Sequence, residues 1–172
     1  MTFLNSIARR IAAAPAEAAL ALVVLSIGGA LLFQHIGGYS PCALCIIQRL
    51  AMTTVALLLV AARLGSAPLW RGGLAVTAGV VALGATMAGL YQAYLNIVPG
   101  MSCSARLMLT INELPLAQLL PDVYYASGDC VLFNPTLFEL AMPYAAVAVD
   151  AMLVVLAGLA LRQASARRRA QI

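Results

Sequence analysis

The chain contains no lysine, a single histidine and a single tryptophan, and only 9% of its 172 residues are charged. Soluble domains carry roughly a quarter charged residues, so this composition excludes a soluble domain. With 63% hydrophobic residues and a mean hydropathy of +0.97, it reads as an integral membrane protein. Metal binding by the four cysteines is chemically open, but the spacing speaks against it. Cys42 and Cys45 are close, but Cys103 and Cys130 are far apart, and a zinc site needs a second close pair. No internal repeat or low-complexity segment divides the chain, so residues 1–172 are expected to form one membrane domain.

Four stretches, about 16–36, 44–63, 72–95 and 141–161, are apolar and near the roughly 20 residues that a spanning helix needs. Lipid leaves the backbone no partner but itself, so each is expected to be helical. The expected fold is an all-α four-helix transmembrane bundle. Arg9 and Arg10 ahead of the first stretch resemble the start of a signal peptide. Three more spans follow without a convincing cleavage site, which predicts an uncleaved first helix.

With lysine absent, orientation rests on arginine. Arg9, Arg10, Arg63, Arg71, Arg162, Arg167, Arg168 and Arg169 all fall on one side of a four-helix threading. The positive-inside rule makes that side, and both termini, cytoplasmic. The other side holds Glu113, Asp122, Asp129 and Glu139 against Arg106. The net charge of +4 is thus a signal of topology and not of a nucleic-acid partner. All four cysteines are left at the outer face, where disulfides persist, which in the inner membrane of a bacterium is the periplasmic one.

The outer loops are about 37–43 and 96–140. In the second, Leu116, Leu119, Leu120 and Val123 fall at helical spacing, which predicts a short helix limited by Pro121. It is expected to lie on the membrane surface or to pack on the bundle. Tyr91, Tyr94, Tyr124 and Tyr125 fit an outer aromatic belt. Ala78, Ala82, Ala85 and Gly89 form a small-residue face suited to close helix packing.

Cys42-Ala-Leu-Cys45 brings two thiols within disulfide reach at the mouth of the second span. Ser40 and Pro41 suit an N-cap and first helical position, which would set the motif at the positive end of the helix dipole, where thiolate is favoured. Arg49 shares a helix face with Cys45 and lies roughly 12 Å past Pro41 at 1.5 Å per residue. At that depth a guanidinium can stabilise a thiolate or the charge on an electron acceptor, or else its side chain snorkels back to the outer interface, a long stretch from there. Gln48 could hydrogen-bond a carbonyl ligand or a neighbouring helix. His35 could accept a proton during exchange or anchor the interface. Asp150, roughly 10 Å into the fourth span, either pairs with Arg49 in a polar pocket or is protonated and tolerated. Cys103 and Cys130 could pin the loop as a static disulfide or exchange with the first pair; four cysteines allow three pairings.

In Phe33-Gln-His35, Pro41-Cys-Ala-Leu-Cys45, Arg49, Ala126-Ser-Gly-Asp-Cys130 and Met142-Pro143 the chain resembles the DsbB family of bacterial inner-membrane thiol oxidases. The likeness covers nearly the whole chain. The C-x-x-C precedes the loop cysteines, opposite to the order in the vitamin K epoxide reductase relatives. The resemblance implies that a Cys103–Cys130 disulfide oxidises a DsbA-type periplasmic thioredoxin-fold partner. Cys130 would then exchange with Cys42, and Cys45 would pass electrons to ubiquinone or menaquinone from the membrane quinone pool, with Arg49 holding the quinone. Two departures stand out: Tyr91–Val98 lacks the histidine some relatives carry, and Asp150 is outside the pattern. The competing reading is a non-enzymatic membrane protein with structural loop disulfides. A metal-handling transporter would need ligands deep in the bundle, and Arg49 opposite Asp150 is a poor cation path.

Overall fold

A computed structural model describes residues 13–98, 102–130 and 137–169. Its order is α1 (Pro15–Gly37), α2 (Ala43–Leu64), α3 (Pro68–Leu95), α4 (Ala105–Asn112), α5 (Pro115–Leu119), α6 (Pro121–Tyr124) and α7 (Leu137–Arg169). Among the described residues there is no β-strand beyond one isolated bridge. The spans Pro15–Gly37, Ala43–Leu64, Leu69–Leu95 and Met142–Arg169 are long and apolar enough to cross a membrane. The fold is thus an all-α bundle with four such helices, and three short helices gather at one end.

Proline sets several starts, because it has no N–H to leave unpaired in a first turn: Pro15, Pro68, Pro115 and Pro121 all stand there. α1 ends at Gly38, whose φ of 68° is the left-handed geometry open to glycine. α3 begins ahead of the expected residue 72, because Pro68 serves as its first turn and Gly72 and Gly73 continue the helix. α7 runs past 161 to Arg169, as its arginines extend the helix beyond the apolar stretch.

α7 packs chiefly on α3, and α3 on α2. Ala75, Ala78, Ala82 and Ala85 are buried on α3, so its small-residue face does lie in an interface. A Cβ on Gly79 would touch Ala157, and one on Gly89 would strike Val147, which makes the α3–α7 contact antiparallel and close. Val55, Leu59, Leu153 and Leu156 complete the core at mid-bundle.

A second cluster joins the start of α2 to the short helices: Ala43 and Ile46 pack with Ile111, Ala117, Tyr124 and Ala126. Of the two placements expected for the leucine stripe, packing on the bundle is not the one its leucines adopt. Leu116, Leu119 and Leu120 are exposed, because the chain breaks at Leu120 (φ −131°, ψ 64°) and turns Ala117 and Tyr124 inward instead. Tyr124 likewise leaves the expected belt: it is buried, with its hydroxyl 2.8 Å from Thr53 Oγ1. Tyr91, Tyr94 and Tyr125 remain exposed.

Candidate active site

The site forms where α2 begins. Cys42, and not Ser40, is the N-cap: its backbone is extended and its Sγ accepts from the Cys45 N–H at 3.3 Å. Ser40 and Pro41 are drawn out of the helix by a different partner, since the Pro41 carbonyl accepts from the N–H groups of both Ser127 and Gly128 at 3.0 Å. That pairing closes a bridge between Cys42 and Gly128. Gly128 is required there, because a Cβ would fall on the Ser40 carbonyl. Asn112 holds the next residue back along the chain: it donates to the Ala126 carbonyl at 2.9 Å and accepts from the Ala126 N–H at 2.8 Å. The segment 126–130 is thereby clamped to the head of α2.

The clamp brings the two cysteine pairs together. Cys103 and Cys130 are joined by a disulfide. Cys42 and Cys45 are free thiols, with sulfurs 2.9 Å apart. Cys42 and Cys130 are both buried in one cluster with Leu44 and Leu95, and Cys45 and Cys103 pack against it. The contact with Cys45, and then burial, push the Cys42 thiol above its ordinary range.

Below the thiols lies a cavity of about 470 Å³. Its polar side is made by Cys45, Gln48, Arg49 and Gln92; much of the rest is apolar wall from α1 and α7, including Phe33, Ala146 and Val149. Arg49 is buried and donates through Nη1 to Gln34 Oε1 at 3.2 Å and to the Val123 carbonyl at 2.9 Å. Gln34 in turn donates to the Asp122 carbonyl at 3.0 Å. The guanidinium thus ties α1, α2 and α6 together at the cavity wall.

The expected pairing of Arg49 with Asp150 does not occur. Asp150 is fully buried, and neither carboxylate oxygen has a hydrogen-bond partner among the described residues. Consecutive residues on a helix point about 100° apart, and this divides Gln48 from Arg49. Gln48 faces α3 and donates to Gln92 Oε1 at 3.1 Å, while Arg49 faces α1 and α6. α7 packs mostly on α3, which leaves Asp150 out of reach of Arg49. His35 lies exposed in the last turn of α1 and is not in the cavity wall, whereas its neighbour Gln34 is.

Gln92 and Asn112 are site residues that sequence reasoning did not single out, while Gln34 and Gly128 entered it only inside the motifs Phe33-Gln-His35 and Ala126-Ser-Gly-Asp-Cys130, with no role of their own. Gln92 had one available signal, a lone amide inside a long uncharged span, since polar groups in lipid seek partners on facing helices. Its Nε2 lies 3.2 Å from Cys45 Sγ and 3.4 Å from Cys42 Sγ.

Four membrane-length helices, a close dithiol at the head of one of them and a disulfide packed against it define a membrane protein of thiol–disulfide chemistry. The family model described as disulfide bond formation protein DsbB matches residues 13–160, and the chain belongs to that family. Among its relatives, disulfide bond formation protein B of Burkholderia pseudomallei (strain K96243) is 36% identical over 130 residues, which is 72% of this chain and 75% of the relative. The protein of the same name in Cupriavidus metallidurans is 37% identical over 120 residues, 68% of this chain and 72% of the relative. Disulfide bond formation protein B 1 of Pseudomonas fluorescens is 33% identical over 135 residues, 76% of this chain and 78% of the relative. No solved structure matches the chain significantly. The protein is a multi-pass membrane protein of disulfide bond formation.

Proposed function

We propose that the chain is a quinone-dependent protein-thiol oxidase of the bacterial inner membrane, with its cysteines on the periplasmic face. The observation that carries this reading is the stacking of disulfide, dithiol and cavity: Cys130 is buried beside Cys42, and Cys45 opens onto the cavity with Arg49.

The relay runs inward. A thiolate of a DsbA-type periplasmic partner attacks Cys103, the Cys103–Cys130 bond breaks, and Cys130 takes the electron pair. The partner's second thiol then displaces Cys103 and leaves the partner oxidised. When Cys42 and Cys45 are themselves joined, Cys130 attacks Cys42, the Cys42–Cys45 bond breaks and Cys45 leaves as thiolate. Cys103 closes on Cys130 and frees Cys42. Access and a stabilised leaving thiolate are what such exchange requires.

Two electrons and two protons must then leave the dithiol, and a ubiquinone or menaquinone supplies the acceptor. The residues fit one. Arg49 and Gln48 offer donors to a carbonyl, while Phe33, Met52, Ala146 and Val149 offer apolar wall to a ring and its chain. Arg49, held at a defined position by Gln34 and Val123, favours negative charge at that end of the cavity.

Thiol trapping in cells depleted of quinone tests the reading. Cys42 and Cys45 are expected to accumulate reduced, and a Cys103-linked adduct with a periplasmic thioredoxin-fold protein is expected to be captured. Four cysteines indifferent to quinone would instead leave a membrane protein with structural disulfides.

A further inference from the structure

The Gln92 amide stands against both reacting sulfurs and has no part in the relay above. It is buried, and its Nε2 is 3.2 Å from Cys45 Sγ and 3.4 Å from Cys42 Sγ. The two buried amides of Gln48 and Gln92 are oriented as a pair. The buried Gln48 amide donates to Gln92 Oε1 at 3.1 Å, so the oxygen is occupied and the NH2 group is the end turned to the sulfurs. Gly89 makes room for this pair: a Cβ there would press on Gln48 Nε2 at 3.3 Å and on Val147 at 2.7 Å.

A thiol is a weak acceptor and a thiolate a strong one, because hydrogen bonds to ionised groups are roughly twice as strong. An N–H aimed at sulfur therefore stabilises the anion over the thiol. With two N–H groups and two sulfurs in reach, the same amide serves whichever sulfur carries the charge.

We propose that Gln92 is a catalytic residue that stabilises thiolate at the Cys42/Cys45 pair, and that Gln48 is a positioning residue holding its amide in the donor orientation. The proposal rests on the reading that this pair is redox-active. The step served is the exchange in which Cys130 attacks Cys42: the Cys42–Cys130 bond forms, the Cys42–Cys45 bond breaks, and the electron pair goes to Cys45 Sγ, the sulfur nearer to the amide. The ionisable groups sharing the cavity are Arg49 on α2, Tyr39 between α1 and α2, and Asp129 beside Cys130. Among the described residues, α1, α3 and α7 contribute none to its wall.

The test is the pH profile of iodoacetamide alkylation of the reduced pair, with Cys103–Cys130 intact, in the full-length protein in liposomes without quinone or partner. Q92M is expected to move the midpoint up by about one pH unit or more, with alkylation about tenfold slower below it. Q48M is expected to give a smaller shift of the same sign, and to add nothing in the Q92M background. Q92A provides a second donor-free variant, and retention of the loop disulfide and of the thermal midpoint verifies folding. A Q92M or Q92A profile that coincides with wild type overturns the role of Gln92; additive shifts for Q48M and Q92M overturn that of Gln48. Failure of the relay itself is read separately, as a wild-type pair that quinone does not oxidise.

Discussion

Arg49 shows how a charge inside an apolar span is settled. The sequence made its depth and its shared face with Cys45 readable, but not its partners, since one is a backbone carbonyl and the other an amide on a different helix. Composition cannot reveal such acceptors. Arg49→Met removes both hydrogen bonds, so the apparent KM for quinone is expected to rise about tenfold or more, while reduction of Cys103–Cys130 by partner stays unchanged. Steady-state kinetics with each substrate varied separately checks this. Asp150 is the opposite case: its depth was legible, its isolation was not, because isolation depends on which helix α7 faces. A buried carboxylate with no partner costs stability. Asp150→Asn is expected to keep turnover within about twofold of wild type, and Asp150→Leu to raise the thermal midpoint. A large loss of turnover in Asp150→Asn would show that the carboxylate works in the reaction.

Among the elements, the segment from α4 to Cys130 departs furthest from its sequence reading. The leucine spacing was correct as a pattern, yet α5 and α6 are separated by a break at Leu120, and the small Ala117 and the buried Tyr124 make the contact. A periodicity argument assumes one continuous helix, and Pro121 begins a second one. The N-cap moved from Ser40 to Cys42 for a related reason: the Pro41 carbonyl is engaged by Ser127 and Gly128, a long-range pairing that local capping rules do not contain. Two substitutions test the clamp. Gly128→Ala is expected to lift the segment off Ser40 and slow Cys130–Cys42 exchange about tenfold or more, read by quenched thiol trapping. Asn112→Ala loses both bonds to Ala126 and is expected to cost about 1–3 kcal/mol of local stability, seen as faster proteolysis of the loop with the spans intact.

For the molecule as a whole, the four spans were legible because lipid allows an apolar stretch no alternative to helix. The cavity was not, since it is made by helices distant in sequence, α1 and α7, standing beside the head of α2. Its walls carry small side chains such as Ala30, Ala145 and Ala146. Ala146→Phe is expected to fill part of the space, raising the KM for quinone several-fold and leaving the rate of partner oxidation in a single turnover untouched; stopped-flow measurement with pre-oxidised protein separates the two.

The clamp at Gly128 also bears on competition. The segment leading to Cys130 is held to the head of α2 by backbone bonds at Ser127 and Gly128 that do not involve the sulfur, so opening the Cys103–Cys130 bond leaves Cys130 tethered two residues from that clamp. The attack of Cys130 on Cys42 is then a unimolecular event with a high effective molarity, independent of how dilute the protein or its partner is. A small free thiol enjoys no such advantage. In the proposed relay, electrons from the tethered route therefore outrun those from a soluble reductant pool, and the redox state of the surrounding solution is expected to have little effect on the exchange.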